Sequence, residues 1–192
     1  MNREEWLTEL GVRYCLPLIG QHVPLPVLQF RVSCGFPKGR GGRGAVRIGE
    51  CHPPVSSSDN TVEIFISPTI DEPVLVSATL LHELVHFAVG NQCGHKGEFR
   101  RVAKAVGLEG KMTSTVASAA LELTIKGWVA AMPHPYPHKK LSPTLEERPG
   151  SRLLKMTCNC GFTVRISRKW SDSISSYFSC PSCHDGQVIL QE

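Results

Sequence analysis

At 192 residues the chain has room for one domain with a proper core plus a small appendage, and its net charge of +4 permits nucleic-acid binding without requiring it. No apolar run reaches the length of a membrane span, and the start, Met1-Asn2-Arg3-Glu4-Glu5-Trp6, lacks the basic and then apolar pattern of a signal peptide; the expectation is a cytoplasmic protein without a membrane partner. In that compartment eight cysteines read as metal ligands or free thiols rather than disulfides.

Asn2 can cap a short packing helix with apolar positions at Trp6, Leu7 and Leu10, and Gly11 is its expected stop. Pro17, Pro24 and Pro26 make residues 16–26 a loop, followed by a strand over 27–32, where β-branched and aromatic residues gather. Residues 35–44 are a glycine-rich basic loop. Arg31, Lys38, Arg40, Arg43 and Arg47 have no acidic residue among them, so this stretch offers phosphate contacts or a solvated turn. Residues 45–48 and 61–66 have the pattern of two paired strands, joined by the Pro-Ser stretch 52–60. The second strand could leave an edge open for an extended peptide.

Asp71 is the expected N-cap of the next helix, with Pro73 tolerated in its first turn. This helix lies in an apolar run, 74–89, which marks it as buried. Within it stands His82-Glu83-Leu84-Val85-His86. Residues four apart sit one above the other on a helix, so the two imidazoles can meet at one metal ion. Glu83 is turned about 100° from His82, close enough to reach a water on that ion without ligating it. Three ionisable groups in a buried helix would cost several kcal/mol unless coordinated or paired.

Catalytic zinc takes three protein ligands and keeps a fourth position open. After His86 the glycines and Asn91 turn the chain back, and His95 is the natural third ligand; Cys93, Glu98 and Glu122 are the alternatives. Phe99, Val102, Ala103 and Val106 then repeat at helical spacing, and Gly107 ends that helix. Residues 111–132 read as a third helical stretch with Val116, Ala120 and Leu123 on one side.

A proline-rich segment follows, so the expected organisation is a domain over 1–132, a linker over 133–150 and a second unit over 151–192. That unit holds Cys158-Asn159-Cys160 and, after a strand-like 162–166 and a polar turn, Cys180-Pro181-Ser182-Cys183. Two cysteine pairs about twenty residues apart read as a four-thiolate zinc ribbon. One residue rather than two separates Cys158 from Cys160, so His184 stands as an alternative to Cys158. Arg165, Arg168, Lys169 and Trp170 in the expected strand region 162–170 combine phosphate partners with a stacking surface for nucleic acid.

Together His82 to His86, Gly94-His95, Glu98-Phe99 and Ala103-Lys104 ahead of Gly107-Leu108 resemble the SprT-like (Spartan-type) zinc metallopeptidases. The chain is most similar to a phage-encoded branch, in Val32-Ser33-Cys34-Gly35-Phe36, Ile48-Gly49-Glu50-Cys51, Ile64-Phe65-Ile66-Ser67-Pro68, Gly110-Lys111-Met112-Thr113, Pro135-Tyr136-Pro137-His138 and the stretch from Arg165 to Trp170. The resemblance implies an α+β fold, a minimal zincin-like domain of a few helices on a small sheet followed by a small β zinc ribbon. It implies His82, His86 and His95 as ligands of a catalytic zinc, Glu83 as catalytic acid/base, a protein or peptide substrate, work near DNA and, for a phage protein, the cytoplasm of a bacterial host. The short Cys158-Asn159-Cys160 knuckle departs from the pattern. The residues thus predict a zinc endopeptidase with a second, structural zinc at Cys158, Cys160, Cys180 and Cys183. Tyr136 and Arg101 are guesses for a second oxyanion donor. The competing class is a non-catalytic DNA-binding or regulatory zinc protein; an intact Glu83, from which a structural metal site gains nothing, favours the enzyme.

Overall fold

The computed structural model describes residues 1–37, 47–142, 153–174, 179–184 and 189–190. They form a mixed α+β protein with few helices and small sheets, divided into two units, Met1–Pro143 and Thr144–Glu192.

The first helix, α1 (Arg3–Leu10), begins in a reciprocal cap. The Asn2 side chain accepts from the Glu5 amide at 2.8 Å, and the Glu5 carboxylate accepts from the Asn2 amide at 2.8 Å. Trp6, Leu7 and Leu10 are fully buried, as their spacing implies. Gly11 is not a stop: its backbone is right-handed helical, and the chain runs on through a π-helical turn (Gly11–Cys15) into α2 (Leu16–Gly20). The wide turn is what admits Pro17, because the Leu16 amide reaches back five residues to Gly11 and loosens the ladder where proline would clash. A side chain at Gly11 would meet Leu84 at 3.3 Å, so the glycine serves close helix packing.

The main sheet has three strands, β1 (Phe30–Cys34), β2 (Gly49–His52) and β3 (Val62–Ile66), in the order β1-β3-β2. The central strand β3 is parallel to β1 and antiparallel to β2. Two expectations shift. The first strand starts at Phe30, because Val27 and Leu28 are exposed; of the strand expected over 45–48, residues 45 and 46 lie outside the described residues, and β2 is formed by Gly49–His52, after Arg47 and Ile48. The open edge also moves: β3 is flanked on both sides, and among the described residues the edges of this sheet are β1 and β2.

Helix α3 (Pro73–Val89) lies on this sheet, with Val62, Ile64 and Ile66 of β3 buried in the same core as Val76, Leu80, Leu81, Leu84 and Val85. Glu72 rather than Asp71 caps it, accepting from the Val74 and Leu75 amides at 3.0 and 2.7 Å; with Pro73 at the first helical position, only the residue next to it can reach them. After α4 (Gly97–Ala105) the chain makes a hairpin, β4 (Leu108–Lys111) with β5 (Ser114–Ala117), then α5 (Ala119–Ala131). The single helical stretch expected from 111 is therefore a strand followed by a helix. Leu121 and Ile125 face the core, whereas Val116 and Leu123 are 57% and 70% exposed.

The proline-rich stretch is not a linker over 133–142. The Trp6 indole donates to the His134 carbonyl, Tyr136 packs edge-on against Trp6, and the Leu141 amide donates to the Pro68 carbonyl. His138 is buried, accepting from Arg3 at Nδ1 and donating from Nε2 to the Pro68 carbonyl at 2.8 Å. The first unit consequently runs to Pro143 rather than to 132.

The second unit contains the strands β6 (Leu153–Thr157), β7 (Thr163–Ser167) and β8 (Ile189–Leu190), in the order β7-β6-β8, with α6 (Arg168–Ile174) where a polar turn was expected. Strand β7 ends at Ser167, so Arg168, Lys169 and Trp170 belong to that helix. Among the described residues no helix is long and apolar enough to cross a membrane.

Candidate metal centre and cleft

Helix α3 carries His82 and His86 one turn apart in its buried half. Gly90 closes the helix, its amide donating to the His86 carbonyl at 2.8 Å, and the chain reverses through a turn at Asn91–Cys93. Gly94, at φ +51° and ψ −125°, takes a conformation closed to side-chain-bearing residues and swings His95 back over α3. Asn91 pins the turn, its side-chain amide donating to the Cys51 carbonyl of β2 at 2.6 Å.

The result is a convergence of three imidazoles. His95 Nε2 lies 3.3 Å from His82 Nε2 and 3.2 Å from His86 Nε2. Nitrogens placed tetrahedrally at about 2.0–2.1 Å from a common ion stand about 3.3–3.4 Å apart, so the trio has the spacing of a ligand set. All three rings favour the neutral, ligating form. Burial pushes His82 down to about 4, helped by His95; burial pushes His86 down to about 3, helped by His82 and His95; burial and then Arg47 lower His95. Phe99 of α4 underlies the trio, its ring centre 4.9, 4.1 and 4.9 Å from those of His82, His86 and His95. Among the described residues the His86 Nδ1 atom is buried without a hydrogen-bond partner, and His82 Nδ1 lies 2.8 Å from the Thr115 hydroxyl. These three histidines can hold a metal ion.

The alternatives for the third position are engaged elsewhere. Cys93 donates to the Gly90 carbonyl, Glu98 pairs with Arg101 at 2.8 Å, and Glu122 pairs with Lys126 at 2.6 Å.

Glu83 faces the same cavity, of about 620 Å³, bounded by β2, α3, the loop through His95 and the β4–β5 hairpin. Its carboxylate rests on the backbone of β2. A Cβ on Gly49 would lie 2.5 Å from Glu83 Oε1 and 2.8 Å from Thr79 Cγ2, so only glycine leaves room for the carboxylate there. Burial pushes the Glu83 carboxyl up to about 8, Glu50 adds to the rise and Arg47 opposes it. Neither Tyr136 nor Arg101 lines the cavity. Tyr136 is buried beside Trp6 and His138, and Arg101 bonds Glu98 and the His22 carbonyl, so both guesses for an oxyanion donor fail.

In the second unit Cys158, Cys160, Cys180 and Cys183 come together as a group that can hold a second ion. Cys158 Sγ is 3.7 Å from Cys183 Sγ, and Cys160 Sγ is 3.5 Å from Cys180 Sγ, close to the roughly 3.8 Å of thiolates tetrahedral about an ion at 2.3 Å. The short knuckle is accommodated by a turn at Gly161, whose amide donates to the Cys158 carbonyl. His184 stands outside the group, its amide donating to the Cys180 carbonyl.

Of the expected basic loop, Lys38, Arg40 and Arg43 lie outside the described residues. Arg31 is paired with Asp59 and Glu63, and Arg47 with Glu50 at 2.6 Å, so these two are not free phosphate contacts. Sequence reasoning missed the roles of Gly49 and Thr115 and gave Asn91 only its place in the turn, not its bond to β2; each of the three acts across the fold on a residue more than thirty positions away. The chain matches no protein-family model, no curated protein and no solved structure.

Proposed function

We propose that the chain is a zinc-dependent endopeptidase with a zincin-like catalytic unit. The observation that carries this reading is the shared cleft, in which three neutral imidazoles converge and Glu83, one residue along α3 from the first, faces the same space. Their spacing and an all-nitrogen donor set suit zinc. Zinc held by His82, His86 and His95 would supply an acidified water and a Lewis acid for the scissile carbonyl. Glu83, facing the same cavity, would take the proton of that water and pass it to the departing amine. Gly49, Glu50 and Cys51 of β2, an edge strand among the described residues, line the cleft and would offer backbone hydrogen bonds to an extended peptide, a mode that reads main chain and tolerates varied side chains.

The test is cleavage of casein or of the chain itself by zinc-loaded protein, abolished by a chelator and restored by zinc. Protein that holds zinc at the histidines yet cleaves nothing, with or without DNA, would favour the non-catalytic class. Gly49→Ala is expected to retain zinc at the histidines but to slow cleavage by about 10²-fold, the scale set by displacing a reacting group by about 1 Å. A Gly49→Ala protein as active as the wild type would show that the carboxylate is not held by β2.

We extend the reading to DNA-associated substrates, supported by the second unit. Arg165, Arg168, Lys169 and Trp170 are exposed, and the Lys169 ammonium sits 5.1 Å from the centre of the Trp170 ring, a cation beside a stacking surface. Changing Arg168 and Lys169 together to Ala should weaken DNA binding in fluorescence anisotropy and lower the slope of log K on log salt by about 1.4–1.8. Wild-type protein that binds no DNA at low salt would remove this extension.

A further inference from the structure

We propose that Thr115 is a positioning residue for the metal-ligating form of His82, which makes the β4–β5 hairpin a supporting part of the metal centre. The inference rests on the reading above only in requiring a metal at the three histidines; it does not require peptide cleavage.

A histidine that gives its Nε2 lone pair to a metal must carry its proton on Nδ1, the tautomer a free imidazole side chain disfavours. His82 Nε2 points at the meeting point of the three rings, and its Nδ1 lies 2.8 Å from the Thr115 hydroxyl oxygen, which can accept that proton in a hydrogen bond. His86 has no such help among the described residues, its Nδ1 being buried and without a partner there. Of the two Nδ1 atoms, then, that of His82 is the one the described residues orient with a side chain.

The placement of Thr115 follows from the strand. Along β5 the residues alternate, Ser114 and Val116 exposed, Thr115 and Ala117 turned inward. Ala117 packs on the apolar core, and one inward position further out Thr115 meets His82. The hairpin is anchored at its base by Leu108, 1% exposed, and by the Ser118 amide donating to the Gly107 carbonyl at 2.9 Å. Threonine is fixed in χ1 by its branched Cβ, so its hydroxyl is held ready with little entropy left to lose. Partners of this kind typically set metal affinity by 10- to 100-fold.

The experiment compares zinc affinity of the full-length wild type, Thr115→Val and Thr115→Ser by competition with a chelating dye, with circular dichroism as a check on folding. The Cys180→Ser, Cys183→Ser background isolates the histidine site. Thr115→Val keeps shape and removes the acceptor, so its zinc dissociation constant should rise about 10- to 100-fold. Thr115→Ser should stay within a few fold of the wild type. Nitrogen-15 spectra of zinc-free protein should show His82 protonated at Nδ1 in the wild type and shifted toward the Nε2-protonated tautomer in Thr115→Val, a readout that a merely structural threonine would not move. Unchanged affinity in Thr115→Val, or a wild-type His82 ring protonated at Nε2, overturns the inference. Wild-type protein with no zinc at the histidines overturns both this inference and the proposed function. Thr115-dependent zinc binding without cleavage of any substrate overturns the proposed function alone.

Discussion

Glu83→Gln is expected to retain the fold and the zinc at the three histidines while lowering peptide cleavage by about 10²- to 10⁴-fold, the usual worth of a positioned general base. Glutamine has the shape of glutamate, so it fits the space over Gly49 where the carboxylate lies. It cannot take a proton from a water. Nor is the packing put at risk, because the change replaces a buried ionisable group, 6% exposed, by a neutral one. His95→Ala should do the opposite, weakening zinc binding by deleting a ligand and leaving Glu83 in place. The pair of variants separates chemistry from metal binding, with casein cleavage and zinc content as the two readouts. Glu83→Gln protein that cleaves at the wild-type rate would rule out the proposed role of Glu83. His95→Ala protein with unchanged zinc affinity would return Cys93, Glu98 and Glu122 to contention.

The contrast between α3 and the β4–β5 hairpin explains how far the sequence could be read. In α3 every signal is local: the apolar run, the proline at its start, the glycine at its end and the two histidines four apart all point to one buried helix, and it spans Pro73–Val89. The meeting of His95 with that helix was legible too, because nine residues and a turn rich in glycine leave the chain few ways to go. The hairpin is different. Ser114-Thr115-Val116-Ala117 is too short and too mixed to declare a period, and it becomes a strand only because β4 pairs with it and α3 receives its inner face. The partnership of Thr115 with His82 is a product of that tertiary choice.

Gly11 and Gly49 teach a related point. Read locally, a glycine after an apolar helical pattern is a stop, and a glycine opening a short strand is a weakness. In the fold each is a place where another side chain comes too close for a Cβ, Leu84 at the first and Glu83 at the second. The proline-rich stretch 133–142 shows the same in reverse. Its composition suits a linker, but α1 and the turn at Pro68 offer it hydrogen-bond partners, and Tyr136 and His138 become part of the core.

The second large effect is expected in the C-terminal unit. Cys180→Ser with Cys183→Ser should remove one of two zinc ions per chain and unfold the β6–β7 sheet, while the first unit keeps its structure and its own zinc. The reason is the make-up of the core there: among the described residues the buried cluster consists of Met156, Cys158 and Cys180, backed by the half-buried Phe162, Val164, Ile166 and Cys183, so three of these seven are themselves ligands of the proposed ion. A sheet of short strands whose core includes the ligands depends on the ion for its cohesion, and structural zinc in small modules contributes about 10–16 kcal/mol of apparent binding free energy. The first unit has its own continuous core from Trp6 to Tyr136, and its histidine site shares no ligand with the cysteine site. Elemental analysis should therefore give two zinc ions in the wild type and one in the variant. Amide hydrogen exchange should show protection lost over β6 and β7 and retained over α3. A single zinc in the intact protein, loss of both from the variant, or a variant whose β6–β7 amides remain protected would each contradict the assignment of a separate structural ion to the four cysteines.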